Sequence, residues 1–264
     1  MVDQRGNPEP AGDRSTHGHL TRAAVISDVH ANGAALGAVL ADIHELGVDE
    51  LWTLGDTVGY GPQPNETTAT IALHADLALV GNHDLVALGE ASVSVAEFNP
   101  DAASAARWTQ AALTGASREF LSSLSPSDGR PGVALFHASA VDPVWDYVLT
   151  IEDARRTLEL TDDQLVLLGH THVPIAVTGD GREARGSHAP GGHVVDLAGG
   201  RWLLNPGSVG QPRDGDPRAA YLLVDLAAGR AEFRRVEYPV ERTQEQMHEA
   251  GLPPALAQRL AYGV

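Results

Sequence analysis

"LVLLGHTHVP", residues 165–174, sets two histidines around one threonine at the end of an apolar run. Taken alone, His170 and His172 have an ordinary explanation, because strands leaving a core commonly end in polar residues. Their meaning depends on whether other apolar runs stop in the same way. "VISDVH" (25–30) ends in Asp28 and His30, and "LWTLGD" (51–56) ends in Asp56. "LALVGNHD" (77–84) ends in Asn82, His83 and Asp84, and "ALFH" (134–137) ends in His137. Each piece is weak by itself, since an Asp after a strand is a common helix cap. Jointly they are not. In open α/β sheets the loops at the carboxyl ends of strands build the site, so these ends are expected to converge on one crevice.

The intervening segments support an α/β chain. Leu36, Val39, Leu40 and Ile43 follow helical spacing before a stop at Gly47. With "RAAVISDVH" before it and "ELWTLGD" after it, that helix makes a βαβ unit. A helix is expected near 65–74, then a strand through "DLALVGNHD" (76–84), and a helix opening at Asn99 and Pro100. A strand at "GVALFHAS", a short helix boxed by Thr150 and Asp153, and the strand "QLVLLGHTH" follow. Residues 179–200 are rich in turn formers and read as a hairpin with exposed loops. "RWLLNPGS", "AAYLLVDL" and "RAEFRRVEY" read as antiparallel strands, and 245–263 as one or two short helices. Neither a repeat nor a linker interrupts the pattern. Residues 21–264 are therefore expected to form a single domain behind a flexible tail, residues 1–20. His17 and His19 lie in that tail, where no site can be preorganised.

Composition narrows the chemistry. The formal charge is −17, which disfavours general nucleic-acid binding. It leaves room for a small anionic substrate where bound cations invert the local field. The chain has no cysteine, so disulfides, thiolate zinc sites and cysteine nucleophiles are excluded, and a cytoplasmic location is expected. No apolar run approaches the ~18 residues of a membrane helix, and the N-terminal residues lack the apolar stretch of a secretory signal. Carboxylates and imidazoles without thiolate suit Mn2+, with Fe, Zn2+, Ni2+ or Mg2+ as alternatives. So many donors exceed one tetrahedral site and match two divalent metal ions sharing a carboxylate.

The order D-x-H, GD, GNHD, H, GH-x-H, with "NPGSVGQPR" at 205–213, resembles the calcineurin-like metallophosphoesterase superfamily over about residues 22–225. It is most similar to the small bacterial and archaeal phosphodiesterase branch. The resemblance implies a four-layer α-β-β-α sandwich with two mixed sheets. It implies Asp28, His30 and His172 on one metal, Asn82, His137 and His170 on the other, and Asp56 bridging them. It further implies hydrolysis of a small phosphodiester or nucleotide by a hydroxide held between the metals, with His83 as general acid. A phosphomonoesterase, or a nucleotide or protein phosphatase with the same centre, is the enzymatic alternative. A catalytically silent protein-binding scaffold of this fold is the other, and an intact set of donors argues against it.

The chain also departs from relatives. The protein Ser/Thr phosphatase branch continues its second motif as GD-x-V-D-R-G, whereas "GDTVGYG" places Gly59 and Tyr60 at the last Asp and Arg. That weighs against a protein phosphatase and leaves open what orients His83. Arg213, with backbone N–H groups near Gly207 and Ser208, is the candidate replacement grip on phosphate, although the same stretch makes a turn in any protein. Tyr60 either lines the pocket or packs. Asp84 either supports His83 or a ligand histidine from behind, or caps a helix beginning at Leu85. Trp145 and Tyr147 are read as packing residues, with stacking on a base as the alternative.

Overall fold

In β1 (Arg22–Ile26), Ala23 and Val25 enter one apolar layer while Ala24 and Ile26 enter another, and all are fully buried. β6 (Leu165–Leu168) divides in the same way. Leu165 and Leu167 join the layer of Ala23 and Val25, and Val166 and Leu168 pack away from it. A strand buried on both faces has no reason to alternate with polar residues, which is why these strands read as continuous apolar runs. The computed structural model describes residues 22–89, 95 and 98–264. The expected tail, 1–20 with His17 and His19, lies outside the described residues.

The first sheet runs β3 (Leu77–Ala78), β2 (Glu50–Thr53), β1, β11 (Ala219–Asp225), β12 (Arg230–Val236), β9 (Val194–Asp196). The second runs β4 (Ser127–Arg130), β5 (Val133–Phe136), β6, β10 (Trp202–Asn205), β7 (Ile175–Gly179), β8 (Ala184–His188). Strands β1, β2 and β3 are parallel, as are β5, β6 and β10, and the other pairings are antiparallel. Both sheets are therefore mixed. Their facing sides share one core that includes Val25, Trp52, Leu135, Leu167, Leu222 and Phe233. Helices α1 (Gly33–Leu46) and α2 (Pro64–His74) cover the outer side of the first sheet through Leu36, Val39 and Ile71. Helix α6 (Ile151–Glu159) covers the outer side of the second through Ala154 and Leu158. The result is the four-layer α-β-β-α arrangement.

Local signals behave as their chemistry requires. The Asn32 side chain accepts from Ala35 N–H at 3.1 Å to open α1, and Gly47, at φ 63°, closes it. Thr150 and Asp153 form a reciprocal capping box on α6. Asn99 caps α4 (Pro100–Ala112), with Pro100 in its first turn.

Several expectations need correcting. The strand anticipated over 76–84 is only β3, and a helix, α3 (Asn82–Leu88), begins three residues before Leu85 with Gly81 at its cap. Helix α5 (Gly115–Ser122) and strand β4 were not anticipated, because both are short and β4 ("SDGR") is a polar edge strand. The segment 179–200 holds the β7–β8 hairpin but then crosses to supply β9 to the first sheet. β10 does not join β11 and β12; it lies between β6 and β7 in the other sheet. The C-terminal helices are α7 (Val240–Glu249), which starts earlier than expected, and α8 (Pro254–Gln258).

Leu167 has no exposed surface and stands between the two sheets. Leu167→Ala should lower the unfolding free energy by about 2–5 kcal/mol in denaturant titration, through lost burial and the cavity left behind. Leu160, 61% exposed, is the control, and Leu160→Ala should change stability by less than ~0.5 kcal/mol. Equal effects would contradict the layer assignment.

Candidate metal centre

Five parallel-strand ends meet at one edge of the sandwich, and their backbone is bent to present side chains inward. Among the described residues the non-glycine positions with positive φ are Asp28, His30, Ala31, Asp56, Tyr60, His170 and His172, at 48–65°. A non-glycine residue in this region is uncommon and costs energy, so a concentration here marks a site held in shape by its surroundings. The loops also need close approach. A Cβ on Gly81 would lie 2.1 Å from Asp56 Oδ1, and one on Gly169 would lie 2.0 Å from Ser27 Oγ. These contacts explain the glycines of "GNHD" and "GHTH".

The side chains fall into two buried clusters. Asp28, His30, Asp56 and His172 form the first; Asp56, His137 and His170 form the second, and Asp56 belongs to both. The pair that opened the sequence reading is split, with His172 in one cluster and His170 in the other. Asn82 Oδ1 joins the second cluster, 3.1 Å from His137 Nε2. His172 Nε2 lies 3.3 Å from Asp28 Oδ1, and both His30 and His137 place Nε2 3.6 Å from Asp56 Oδ2.

Backbone carbonyls fix the tautomers. Nδ1–H of His30 donates to Val58 O at 3.1 Å, that of His137 to Leu54 O at 2.8 Å, and that of His172 to Gln211 O at 2.6 Å. With Nδ1 protonated, each neutral ring turns a bare lone pair on Nε2 into the cavity. His30 Nε2 and His172 Nε2 are 3.0 Å apart with no proton to share. Each carboxylate is similarly divided. Asp28 Oδ2 accepts from His170 N–H at 3.1 Å and Asp56 Oδ1 from His83 N–H at 2.9 Å. The remaining oxygens, Asp28 Oδ1 and Asp56 Oδ2, are buried without a hydrogen-bond partner, as is His170 Nε2. Buried acceptors without partners are costly. Each cluster therefore fits a divalent cation, with oxygen and nitrogen donors, no thiolate, and histidines oriented by second hydrogen bonds.

Burial holds His30 well below the ordinary imidazole range and lowers His137 and His172 as well. It pushes His170 down to about 2. All four rings are neutral near pH 7, the state a metal requires. Burial, reinforced by Asp84 and Asp28, raises Asp56 well above the carboxylate range. Burial also opposes charge on Asp28, but the surrounding His172, His137 and Ser27 side chains together hold that carboxyl below the carboxylate range.

Two expectations are corrected here. The helix that Asp84 was expected to cap begins at Asn82 and not at Leu85, and Asp84 takes part in its N-terminal cap by accepting from Gly81 N–H. It sits in the first turn of α3 and accepts from Thr57, Val58 and Gly81 N–H at 3.2, 2.9 and 3.0 Å. It thereby ties the loop after Asp56 to the loop before Asn82. Ser208 is fully buried, donates to Asp28 O at 2.7 Å and accepts from Gln211 N–H at 2.8 Å, so it has no hydroxyl free for substrate. The N–H of Gly207 is taken by Asn205 Oδ1, that of Val209 by Ser27 O and that of Gly210 by Asp28 O. The expected anion nest is instead a brace for the Asp28 loop.

Residues 22–229 match the description of a calcineurin-like phosphoesterase superfamily domain. The chain belongs to the calcineurin-like phosphoesterase superfamily. It is 35% identical to an uncharacterized protein of Methanocaldococcus jannaschii over 91% of this chain and 97% of that one. A metallophosphoesterase crystal structure from Sphaerobacter thermophilus is 41% identical, with TM-score 0.83, covering 92% of this chain and 99% of that one. A hypothetical protein of Pyrococcus horikoshii shares the fold at 19% identity and TM-score 0.74, covering 92% and 98%. Family and clusters together point to a phosphoester hydrolase that uses divalent metal.

Around this phosphoesterase centre lies a rim that the sequence only partly revealed. His83 is packed between Tyr60 and Phe98, with ring centroids 4.3 and 4.4 Å away. Gly59 backs directly onto it, because a Cβ there would meet His83 Nδ1 at 2.7 Å. Arg213 reaches Tyr60 Oη at 3.3 Å and Gln211 Oε1 at 2.9 Å, so its guanidinium stands beside the site and does not face away. Tyr147 stacks on His170 with centroids 3.9 Å apart, and Trp145 meets Phe98 edge-on at 6.0 Å. Phe98 escaped the sequence reading, and Trp145 and Tyr147 were read as packing residues. Their only sequence signal is aromatic content in a loop.

Asp56 is shared, whereas His172 serves one cluster. On metal-loaded protein, elemental analysis should show Asp56→Asn losing both equivalents and His172→Ala losing about one. A single equivalent lost from Asp56→Asn would refute the bridging role.

Proposed function

We propose that this protein is a phosphodiesterase that uses two divalent ions, Mn2+ in first place, and acts on a small diester in the cytoplasm. The observation that carries the reading is Asp56, a buried carboxylate held in both clusters, with His83 one residue beyond Asn82 at their mouth. Metals bound there supply Lewis acidity and an acidic water. The chain's own residues do the rest. Arg213 offers guanidinium donors to a phosphoryl oxygen. Tyr60 and Gln211 hold that guanidinium in place. His83 provides the proton for the leaving oxygen. In the free protein, burial and the charge of Arg213 keep His83 well below the imidazole range. An anionic phosphoryl group seated beside it supplies the opposite field and favours the protonated ring.

The diester is favoured over the monoester by charge. Gly59 and Tyr60 leave the second motif without a cation, and Arg213 already commits its Nη2 to Tyr60 and Gln211. That provision suits a monoanion better than a dianion. A phosphomonoesterase with the same centre is the second reading.

Bis(p-nitrophenyl) phosphate and p-nitrophenyl phosphate, assayed after chelation and again after Mn2+ addition, separate the two. Manganese-dependent cleavage of the diester is expected. Cleavage of the monoester alone would replace the diester reading, and no turnover with metals bound would overturn the enzyme itself. His83→Ala should lower kcat by about 100-fold or more while metal content stays unchanged. Wild-type turnover in that variant would sink the proton-donor role.

A further inference from the structure

We propose that Phe98, Trp145 and Tyr147 form a stacking subsite for a planar ring on one ester arm, which makes the substrate a nucleoside diester and not an aliphatic one. This rests on the phosphodiesterase reading and specifies its substrate class. Aromatic residues are only 5% of the chain. Most of them serve the core, as Trp52, Tyr221 and Phe233 do. Yet Tyr60 and Phe98, at the edge of one apolar cluster, together with Trp145 and Tyr147, gather around His83 and His170 beside the metal centre.

Their geometry is that of a wall with an uncovered face. Tyr147 lies nearly flat on His170, with 30° between planes, and is still 44% exposed. One face of its ring is covered by the imidazole, and much of the remainder is exposed. Phe98 stacks on His83 at 25° between planes, and Trp145 closes against Phe98. An ester arm leaving past His83 therefore meets aromatic surface first. Leaving the Tyr147 ring in water has no structural benefit, and covering it with a base is favourable.

The loop that carries Trp145 and Tyr147, between β5 and α6, is pinned before any ligand arrives. Ser139 Oγ donates to Asp146 Oδ2 at 2.6 Å, and Val144 and Trp145 N–H both donate to Asp142 Oδ1, at 2.9 and 3.1 Å. Ala138 N–H donates to Pro143 O at 3.0 Å. Preset rings lose little conformational freedom on binding, which is how such a wall becomes affinity. An aromatic wall also attracts quaternary ammonium groups. Here the Arg213 guanidinium, 5.7 Å from the centroid of the Tyr60 ring, places a cation at the same mouth and opposes a second one.

The test compares adenosine 5′-monophosphate with ribose 5-phosphate by calorimetry on metal-loaded protein. The base should tighten binding by about tenfold. Trp145→Ala with Tyr147→Ala should abolish most of that ratio, and Trp145→Phe with Tyr147→Phe should retain it. Metal content, measured on each variant, separates loss of the wall from loss of the centre. Glycerophosphocholine and an adenylyl dinucleotide provide the kinetic comparison, and the dinucleotide should have the higher kcat/KM. Equal binding of the two phosphates by the unaltered protein, or preference for the choline ester, would overturn the proposal. Failure to hydrolyse any diester while the base preference persists would instead overturn the phosphodiesterase reading and leave the subsite standing.

Discussion

Unshared electron pairs, turned toward one another with no proton between them, are the constraint on which this protein is organised. His30 Nε2 and His172 Nε2 face each other at 3.0 Å because Val58 and Gln211 carbonyls hold the protons on the far side of each ring. Asp28 and Asp56 each commit one oxygen to a backbone N–H and leave the other bare. A cation satisfies all of these atoms at once; nothing in the apolar core can. The strained dihedrals, the close glycines and the Asp84 brace hold that arrangement together against its own repulsion. Strain of this kind costs about 1–3 kcal/mol per residue and persists only where neighbours over-determine it.

How much of this was legible depends on how local each signal is. The central strands were readable because burial on both faces leaves an unbroken apolar run, and the donors were readable because they sit where those runs stop. The grouping of His170 with His137, and of His172 with His30, is a matter of space, and only the family resemblance supplied it beforehand. β4 was missed because a polar edge strand has no apolar period. β10 was misassigned because nothing in "RWLLNPGS" records which sheet will accept it. Ser208 was taken for a substrate contact because a Gly/Ser turn looks alike whether it binds an anion or braces a neighbour. Phe98 was missed because its partner, His83, is set by tertiary packing and not by spacing.

Centre and rim obey different rules. The donors are fixed by coordination chemistry, which admits few replacements for a bare carboxylate oxygen or imidazole nitrogen. The rim is built from loops, which tolerate change. Tyr60 stands where a related branch carries Arg, and Arg213, far away in sequence, donates to its hydroxyl. A fold-level likeness alone would not have revealed that pairing.

The pairing of β1 with β11 reaches beyond architecture. Ala24 stands opposite Leu223, so β1 waits for a strand far later in the sequence before that edge is closed. β2 can shield one side early, but the other side stays an open template until β11 has been made. Asp28 follows directly on β1, and its loop is braced by Ser208, which also arrives late. Vectorial synthesis thus places the closing of that edge, and the bracing of the Asp28 loop, after the segment through β11 has been made.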